Sequence, residues 1–315
     1  MKLLGFAMIH MQAAEKLALM NYNEERRAVA LLPPIDAVPD LTMFAENGLG
    51  VAAFENGEML GFLGCLEPWE NAFGSAARGT FSPIHAHGAI KEGRGMIYKR
   101  LYQAAAEKWV KKGITYHAIG LYAHDGEAIG ALFSYGFGLR CIDAIRAMEG
   151  LGSGRSENIA IRELSRDAVA DVRDMRQMLM THLGNSPCFM DSSQVAFDAW
   201  IARAEKRNSR IFTAECEGQP IAFVEVQADG ENFITEASDM LNICGAFCLP
   251  AFRGSGVAQA VLDHAIAVLQ NEGYTKLGVD FESFNPTASG FWLKYFTAYT
   301  KSVVRRIDEC AVRSV

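Results

Sequence analysis

The chain has 315 residues, half of them hydrophobic, with a formal net charge of −7 and seven cysteines. That length is about twice a typical domain, and the acidic balance argues against a nucleic-acid or anionic-membrane surface, both of which need clustered Lys and Arg. No apolar run reaches the ~18 to 20 residues of a spanning helix and no signal-peptide core forms at the start, so a soluble cytoplasmic protein with reduced cysteines and two packed cores is expected.

In chain order, residues 80–84 read as a strand leading into Lys91-Glu92-Gly93-Arg94-Gly95. His85-Ala86-His87, with no third ligand in sight, reads as a surface turn rather than a metal site. A helix follows to Lys112, its C-terminal Lys108, Lys111 and Lys112 suiting the helix dipole, and Gly113 stops it. Next come a strand at 116–122, a loop at Asp125, a helix through Phe133 and a strand at 139–147. Gly150-Leu151-Gly152-Ser153-Gly154-Arg155-Ser156 has linker composition. It divides the chain into domains 1–150 and 158–315 around a linker at 151–157. In the second part, Met175, Met178, Leu179 and Leu183 follow helical spacing and read as core. A strand at 222–227 carries Glu225, and another at 243–249 runs into a glycine turn. A helix from about 256 to 272 ends at Gly273. A strand at 276–281, a loop at Asn285-Pro286, an aromatic-rich helix from 287 to about 296 and a strand at 302–307 complete the chain. The two parts share one order of elements, which sets Gly95 against Gly256 and Asp125 against Asn285.

The most informative stretch is the turn in the second part, from Cys248 to Ala258. Strand, glycine turn and helix together leave the first helical N–H groups unpaired at the positive end of the helix dipole, which suits a phosphate or pyrophosphate. Arg253 adds a positive charge, Gly254 and Gly256 permit close backbone approach, and Ala258 leaves the first turn open. The first part has Glu92 in place of Arg253, Arg94 in place of Ser255 and Ile97 in place of Ala258, so an anion is expected to be repelled and partly blocked there, with Arg94 offsetting some of the repulsion. A nucleoside-triphosphate loop requires Gly-Lys-Ser or Gly-Lys-Thr, which is absent. A dinucleotide fingerprint requires a third glycine early in a βαβ unit, also absent.

The remaining pattern resembles the GNAT superfamily of acyl-coenzyme A dependent N-acyltransferases. Its turn has Arg or Gln, two residues, Gly, one residue, then Gly or Ala, here Arg253, Gly256 and Ala258. Downstream it commonly has Asn, then Ala, Tyr and Gly-Phe, matched here by Asn285, Ala288, Trp292 and Phe296-Thr297. The first part supplies Asp125, Ala128, Leu132 and Gly136-Phe137. The resemblance implies an α/β (α+β) chain of two tandem GNAT-like lobes, each a mixed, mostly antiparallel twisted sheet flanked by helices, the first lobe degenerate.

It further implies acetyl-CoA as acyl donor, with no metal. The N–H groups of Gly254, Ser255, Gly256, Val257, Ala258 and Gln259, with Arg253, would bind the pyrophosphate. The strand edge at Phe247, Cys248 and Leu249 would pair with the pantetheine amides, which Asn285 would also contact. An amine of a small molecule or peptide would attack directly in a ternary complex. Trp292 replaces the family's usual acid and has no useful acidity, so Tyr295 is the candidate acid, although Phe291, Trp292, Tyr295 and Phe296 read equally as core. Glu225, Asp239 and Glu236 are the candidate bases by chain order. The expected protein is a monomeric or homodimeric N-acetyltransferase for a primary amine. A noncatalytic acyl-CoA sensor and a nucleotide-binding protein are the alternatives.

Overall fold

The computed structural model describes residues 1–152, 159–165, 171–207 and 209–312, so most of the expected linker at 151–157 lies outside the described residues. The chain divides into two compact units, Met1–Ile142 with Ala298–Val315, and Asp143–Thr297. Among the described residues no helix is long and apolar enough to cross a membrane.

Unit 1 begins with β1 (Lys2–Gly5), α1 (Met11–Ala28), α2 (Thr42–Glu46), β2 (Val51–Glu55), β3 (Glu58–Leu63), β4 (Gly79–Ser82) and β5 (His87–Ala89). It continues through α3 (Arg94–Lys111), β6 (Tyr116–Tyr122), α4 (Gly126–Phe133) and β7 (Gly138–Ala147), whose end enters unit 2. Strands β1, β2, β3 and β5 pair antiparallel in that order, while β4 pairs parallel with β6. Helix α3 buries Ile97, Tyr98, Leu101, Tyr102, Ala105 and Trp109 at helical spacing. Trp109 donates its indole N–H to the Leu49 carbonyl at 3.2 Å, which satisfies the one polar atom of a fully buried ring.

Unit 2 contains β8 (Ala160–Glu163), α5 (Arg173–Gly184), α6 (Gln194–Lys206), β9 (Arg210–Cys216), β10 (Gln219–Gln227) and β11 (Met240–Cys248). It closes with α7 (Val257–Asn271), β12 (Lys276–Glu282), α8 (Pro286–Trp292) and β13 (Thr297–Ala298), after which β14 (Thr300–Arg306) and α9 (Glu309–Val312) return to unit 1. Strands β8 to β12 lie side by side, antiparallel except for the parallel pair of β11 with β12. Mixed sheets flanked by helices therefore form the chain, as the resemblance implied.

On one face of the unit 2 sheet α7 buries Val257, Val261, Leu262, Ala265, Ile266 and Leu269, the valines, leucines and isoleucine each contributing about 1.5–3 kcal/mol by transfer from water. On the other face α5 and α6 cover Ile211, Phe223 and Phe247 with Met175, Phe197 and Trp200. Of the methionines expected in this core, Met175 is buried but Met178 is 47% exposed, because the helix turns only one stripe inward.

Three observations differ from the sequence reading. Strand β14, expected within domain 158–315, pairs antiparallel with β6 from Thr300↔Tyr122 to Arg306↔Tyr116 and groups with residues 1–142. Alternation along 300–306 marks a strand but carries no information on its partner. His87 is no surface residue: it is buried on β5, with Nδ1 2.7 Å from the Tyr98 hydroxyl and Nε2 against the Gly120 carbonyl. Burial without a charged partner lowers its pKa to about 4, so the ring is neutral at physiological pH. Finally, α8 stops at Trp292, four residues short of expectation. Its last amides tighten into a turn, with Tyr295 N and Phe296 N both bonding the Trp292 carbonyl.

Candidate functional site

The site arises where two parallel strands part. β11 and β12 pair from Met240↔Lys276 to Ile243↔Val279 and no further, although β11 runs on to Cys248 and β12 to Glu282. The cause is visible one strand away. On β10, Glu225 faces Gly245 and Val226 faces Ile243, so Cys244 is an extra residue, a β-bulge that bends β11 away from β12. Beyond the bulge no strand among the described residues pairs with the β12-facing edge of 244–248. An extended ligand chain can hydrogen-bond there as a strand would.

The open edge leads to the glycine turn. A single 3-10 turn, Pro250–Phe252, is followed by Gly254 at φ 81° and by Gly256 at φ 89°, which is the N-cap of α7. Such angles favour glycine. The Ser255 N–H donates to the Phe252 carbonyl at 3.3 Å and its hydroxyl to the same oxygen at 2.6 Å, so Ser255 braces the turn from within. No hydrogen bond among the described residues takes up the N–H of Gly254, Gly256, Val257, Ala258 or Gln259. These donors converge at the positive end of a helix of 15 residues. Arg253 folds back on the strand end, Nε donating to the Cys248 carbonyl at 3.1 Å and the guanidinium 5.4 Å from the Phe247 ring. Its exposed charge thus sits between the turn and the strand edge.

The opposite wall comes from β12 and α8. Asn285 caps α8, its Oδ1 accepting from Thr287 N at 3.2 Å, Ala288 N at 3.4 Å and the Thr287 hydroxyl at 2.7 Å. The amide –NH2 takes no part in these cap bonds. His182 of α5, which the sequence reading missed, reaches the same corner, Nε2 lying 3.4 Å from Asn285 Oδ1 and 3.3 Å from Thr287 Oγ1. Trp292 is core, packed edge-on against Phe291 and Phe296. Tyr295, in the turn beyond α8, accepts a hydrogen bond from Gln259 Nε2 and so stands at the first turn of α7.

The candidate bases separate. Asp239 lies at the end of the strand pair remote from the fork, accepting from Thr275 Oγ1 and Lys276 Nζ, and the Lys276 and Thr275 bonds hold its carboxyl below the usual range. Glu236 closes a short 3-10 turn before β11. Glu225 is at the fork: a Cβ on Gly245 would stand 2.9 Å from its Oε2. It is fully buried beside Arg176 of α5, with Oε2 2.9 Å from Nη2 and the guanidinium 4.7 Å from the Trp200 ring. That contact lacks hydrogen-bond alignment, since neither carboxylate oxygen and none of the three guanidinium nitrogens makes a hydrogen bond.

Asp280, also missed, follows Val279 directly and is half-buried where the strands part. Burial, then the charges of Glu231, Asp143 and Glu282, raises its carboxyl well above the ordinary range, and no cation pairs with it among the described residues. The readable signal was a lone acid inside the apolar strand 276–281. Among the described residues no group of three or more His, Cys, Asp or Glu could hold a metal ion.

In unit 1 the start of α3 also follows a strand and a glycine cap, but a donor there is taken up within the chain. Its helix N-cap is Gly93 at φ 66°, not Gly95, so the two caps align as Gly93 with Gly256, two residues from the sequence alignment. Arg94 then takes the place of Val257 and Gly95 that of Ala258. The Gly95 N–H, which a phosphate would use, donates to the Glu127 carboxylate at 3.1 Å. Arg94 is buried, donating to the carbonyls of Ile90 at 3.2 Å and Ala89 at 3.1 Å and pairing with Glu24 at 2.7 Å and Asp125 at 3.3 Å. Ile97 points into the core against Gly61 and obstructs nothing, so the expected steric block is corrected to an electrostatic plug. Arg94→Met leaves two shielded carboxylates unpaired and is expected to cost about 3–5 kcal/mol, measured as a lower urea midpoint. An unchanged midpoint would show that the plug adds no stability.

Known proteins resemble the chain at the level of family and fold. The profile described as Acetyltransferase (GNAT) family matches residues 173–296. The GCN5-related N-acetyltransferase from Sphaerobacter thermophilus is 14% identical, with 97% of this chain and 95% of that one covered and a TM-score of 0.61, which shows a shared fold. A GCN5-related N-acetyltransferase from Kribbella flavida is 9% identical over 94% and 97% of the two chains, with a TM-score of 0.47. No curated protein matches.

Proposed function

With residues 173–296 a GNAT-family acetyltransferase domain, we propose that the protein transfers an acetyl group from acetyl-CoA to a primary amine of a small molecule or peptide, and that unit 2 alone holds the donor. The observation that carries this reading is the unfilled fork of β11 and β12 running into unfilled N–H groups at Gly254 to Gln259, set against the Gly95 N–H that Glu127 takes up in unit 1. The CoA pyrophosphate lies on those N–H groups beside Arg253. The pantetheine arm extends along the edge that ends at Phe247, Cys248 and Leu249, and the Asn285 amide donates to it from across the cleft.

The acetyl carbonyl then lies beside the bulge, where a freed backbone N–H polarises its oxygen. Asp280 removes the proton from the acceptor's ammonium, for which a raised pKa is suited. The amine nitrogen attacks, the C–N bond forms, the C–S bond breaks, the nitrogen gives up its remaining excess proton to solvent, and the thiolate takes a proton. Tyr295 is the acid in this reading, held in place by Gln259.

Isothermal calorimetry with acetyl-CoA, CoA, ATP and NAD, followed by CoA release with a broad amine panel, tests the proposal. Release above the hydrolysis background is expected. Binding without release from any amine would favour the sensor reading that the buried Trp292 invites. Tyr295→Phe is expected to lower kcat by about 100-fold or more while acetyl-CoA affinity changes little. A matching fall in affinity would reduce Tyr295 to an anchor for Gln259.

A further inference from the structure

Arg176 and Glu225 are buried together, at 1% and 0% side-chain exposure, under α5 and α6. Their arrangement is incomplete. Nη2 lies 2.9 Å from Glu225 Oε2 without hydrogen-bond alignment, and none of Nε, Nη1, Nη2 or the two Glu225 carboxylate oxygens has a hydrogen-bond partner, so both two-donor edges of the guanidinium, Nε with Nη2 and Nη1 with Nη2, are unfilled. Trp200 covers the guanidinium plane at 4.7 Å, so the vacant donors lie along its edge. Thr213, which shares the sheet face of Phe223 and Glu225, adds a third fully buried polar group without a partner. Buried polar groups are almost always satisfied. Unsatisfied donors and acceptors gathered in one place, beside the point where β11 leaves β12, mark a position that a polar ligand completes.

The kinds of unsatisfied group specify the ligand. A planar guanidinium with two donors in a fork takes a carboxylate in bidentate fashion. A free carboxylate oxygen next to it takes an ammonium. A molecule carrying both charges a carbon or two apart forms a closed ring of four alternating charges with the Arg176–Glu225 pair. Its amine then points toward the Gly245 backbone, against which Glu225 rests, and toward Asp280. A purely cationic amine leaves the guanidinium donors empty and brings a second positive charge to a buried one. Deepening the proposed function, on which it rests, we infer that the acceptor is a zwitterion, an α-amino acid or a close analogue, with Arg176 holding its carboxylate and Glu225 its ammonium.

The test uses the full-length protein with acetyl-CoA. A set of α-amino acids is compared with the amines that differ from each only by loss of the carboxylate, and kcat/KM is read from CoA release. At least one amino acid is expected to exceed its paired amine by about 10- to 100-fold, the scale of a charge-assisted bidentate contact. Arg176→Lys keeps the charge and removes the fork, so it is expected to shrink that ratio by raising KM for the amino acid. Because Arg176→Lys can also disturb packing under Trp200, Arg176→Met with Glu225→Met, which removes both charges at once, is measured for the same ratio, expected to approach one. Simple amines acetylated as well as or better than every amino acid would overturn the zwitterion inference and leave the acetyltransferase reading standing. Absence of CoA release from both classes would overturn both.

Discussion

Gly256→Val is expected to weaken acetyl-CoA binding by about 100-fold or more. Gly256 caps α7 at φ 89°, a conformation that a β-branched residue adopts only at a cost of about 1–3 kcal/mol. The chain relieves that cost by rotating the turn, and the N–H groups of Gly256, Val257 and Ala258 then no longer converge. Each charge-assisted hydrogen bond lost is worth about 1.5–3 kcal/mol, so two of them account for the effect. The matched control is Gly93→Val in unit 1, also at positive φ and also a helix cap. Since Glu127 already occupies the neighbouring Gly95 N–H, Gly93→Val is expected to lower the melting temperature and leave the acetyl-CoA dissociation constant unchanged in calorimetry. If the effects are exchanged, with Gly93→Val abolishing binding and Gly256→Val harmless, the donor belongs to unit 1.

The contrast between these glycines shows how far local sequence reasoning reaches. Gly254, Gly256 and Asn285 were legible because their roles depend on their own backbone: a positive φ, a helix N-cap, a side chain bonding amides two and three residues on. The register of the first copy was not, because placing the cap at Gly93 depends on Arg94 finding Glu24, Asp125 and two carbonyls, partners 31 and 70 residues away in sequence among them. Glu225 could be placed on a strand, yet nothing in its neighbourhood in the chain announces Arg176 on α5. Likewise β14 is a strand by its alternation and a part of unit 1 only by its pairing with β6. For the first cap, for Glu225 and for β14, what escaped the sequence reading was a partner rather than an element.

Asp280→Asn is expected to reduce kcat by about 100- to 10,000-fold, the usual contribution of a positioned base, while raising the melting temperature at neutral pH. The two effects share one cause. Burial among Glu231, Asp143 and Glu282 raises the folded-state pKa of Asp280 above its unfolded value. Between those two values the folded chain binds more protons than the unfolded one, so Asp280 makes stability fall as pH rises through that window, and the deficit persists above it. An uncharged amide removes the deficit. For catalysis the sign is opposite, because only the ionised carboxylate accepts a proton, and activity should rise with pH through the elevated pKa of Asp280. Asp280→Asn therefore loses this acid limb from the kcat/KM profile as well as the rate. Cys244, whose own thiol is pushed up by burial with Glu225 and Asp280 nearby, does not supply an alternative base at neutral pH. If Asp280→Asn retains wild-type kcat and an unshifted acid limb, the proton goes elsewhere. His182, at the Asn285 corner, is then the next residue to replace.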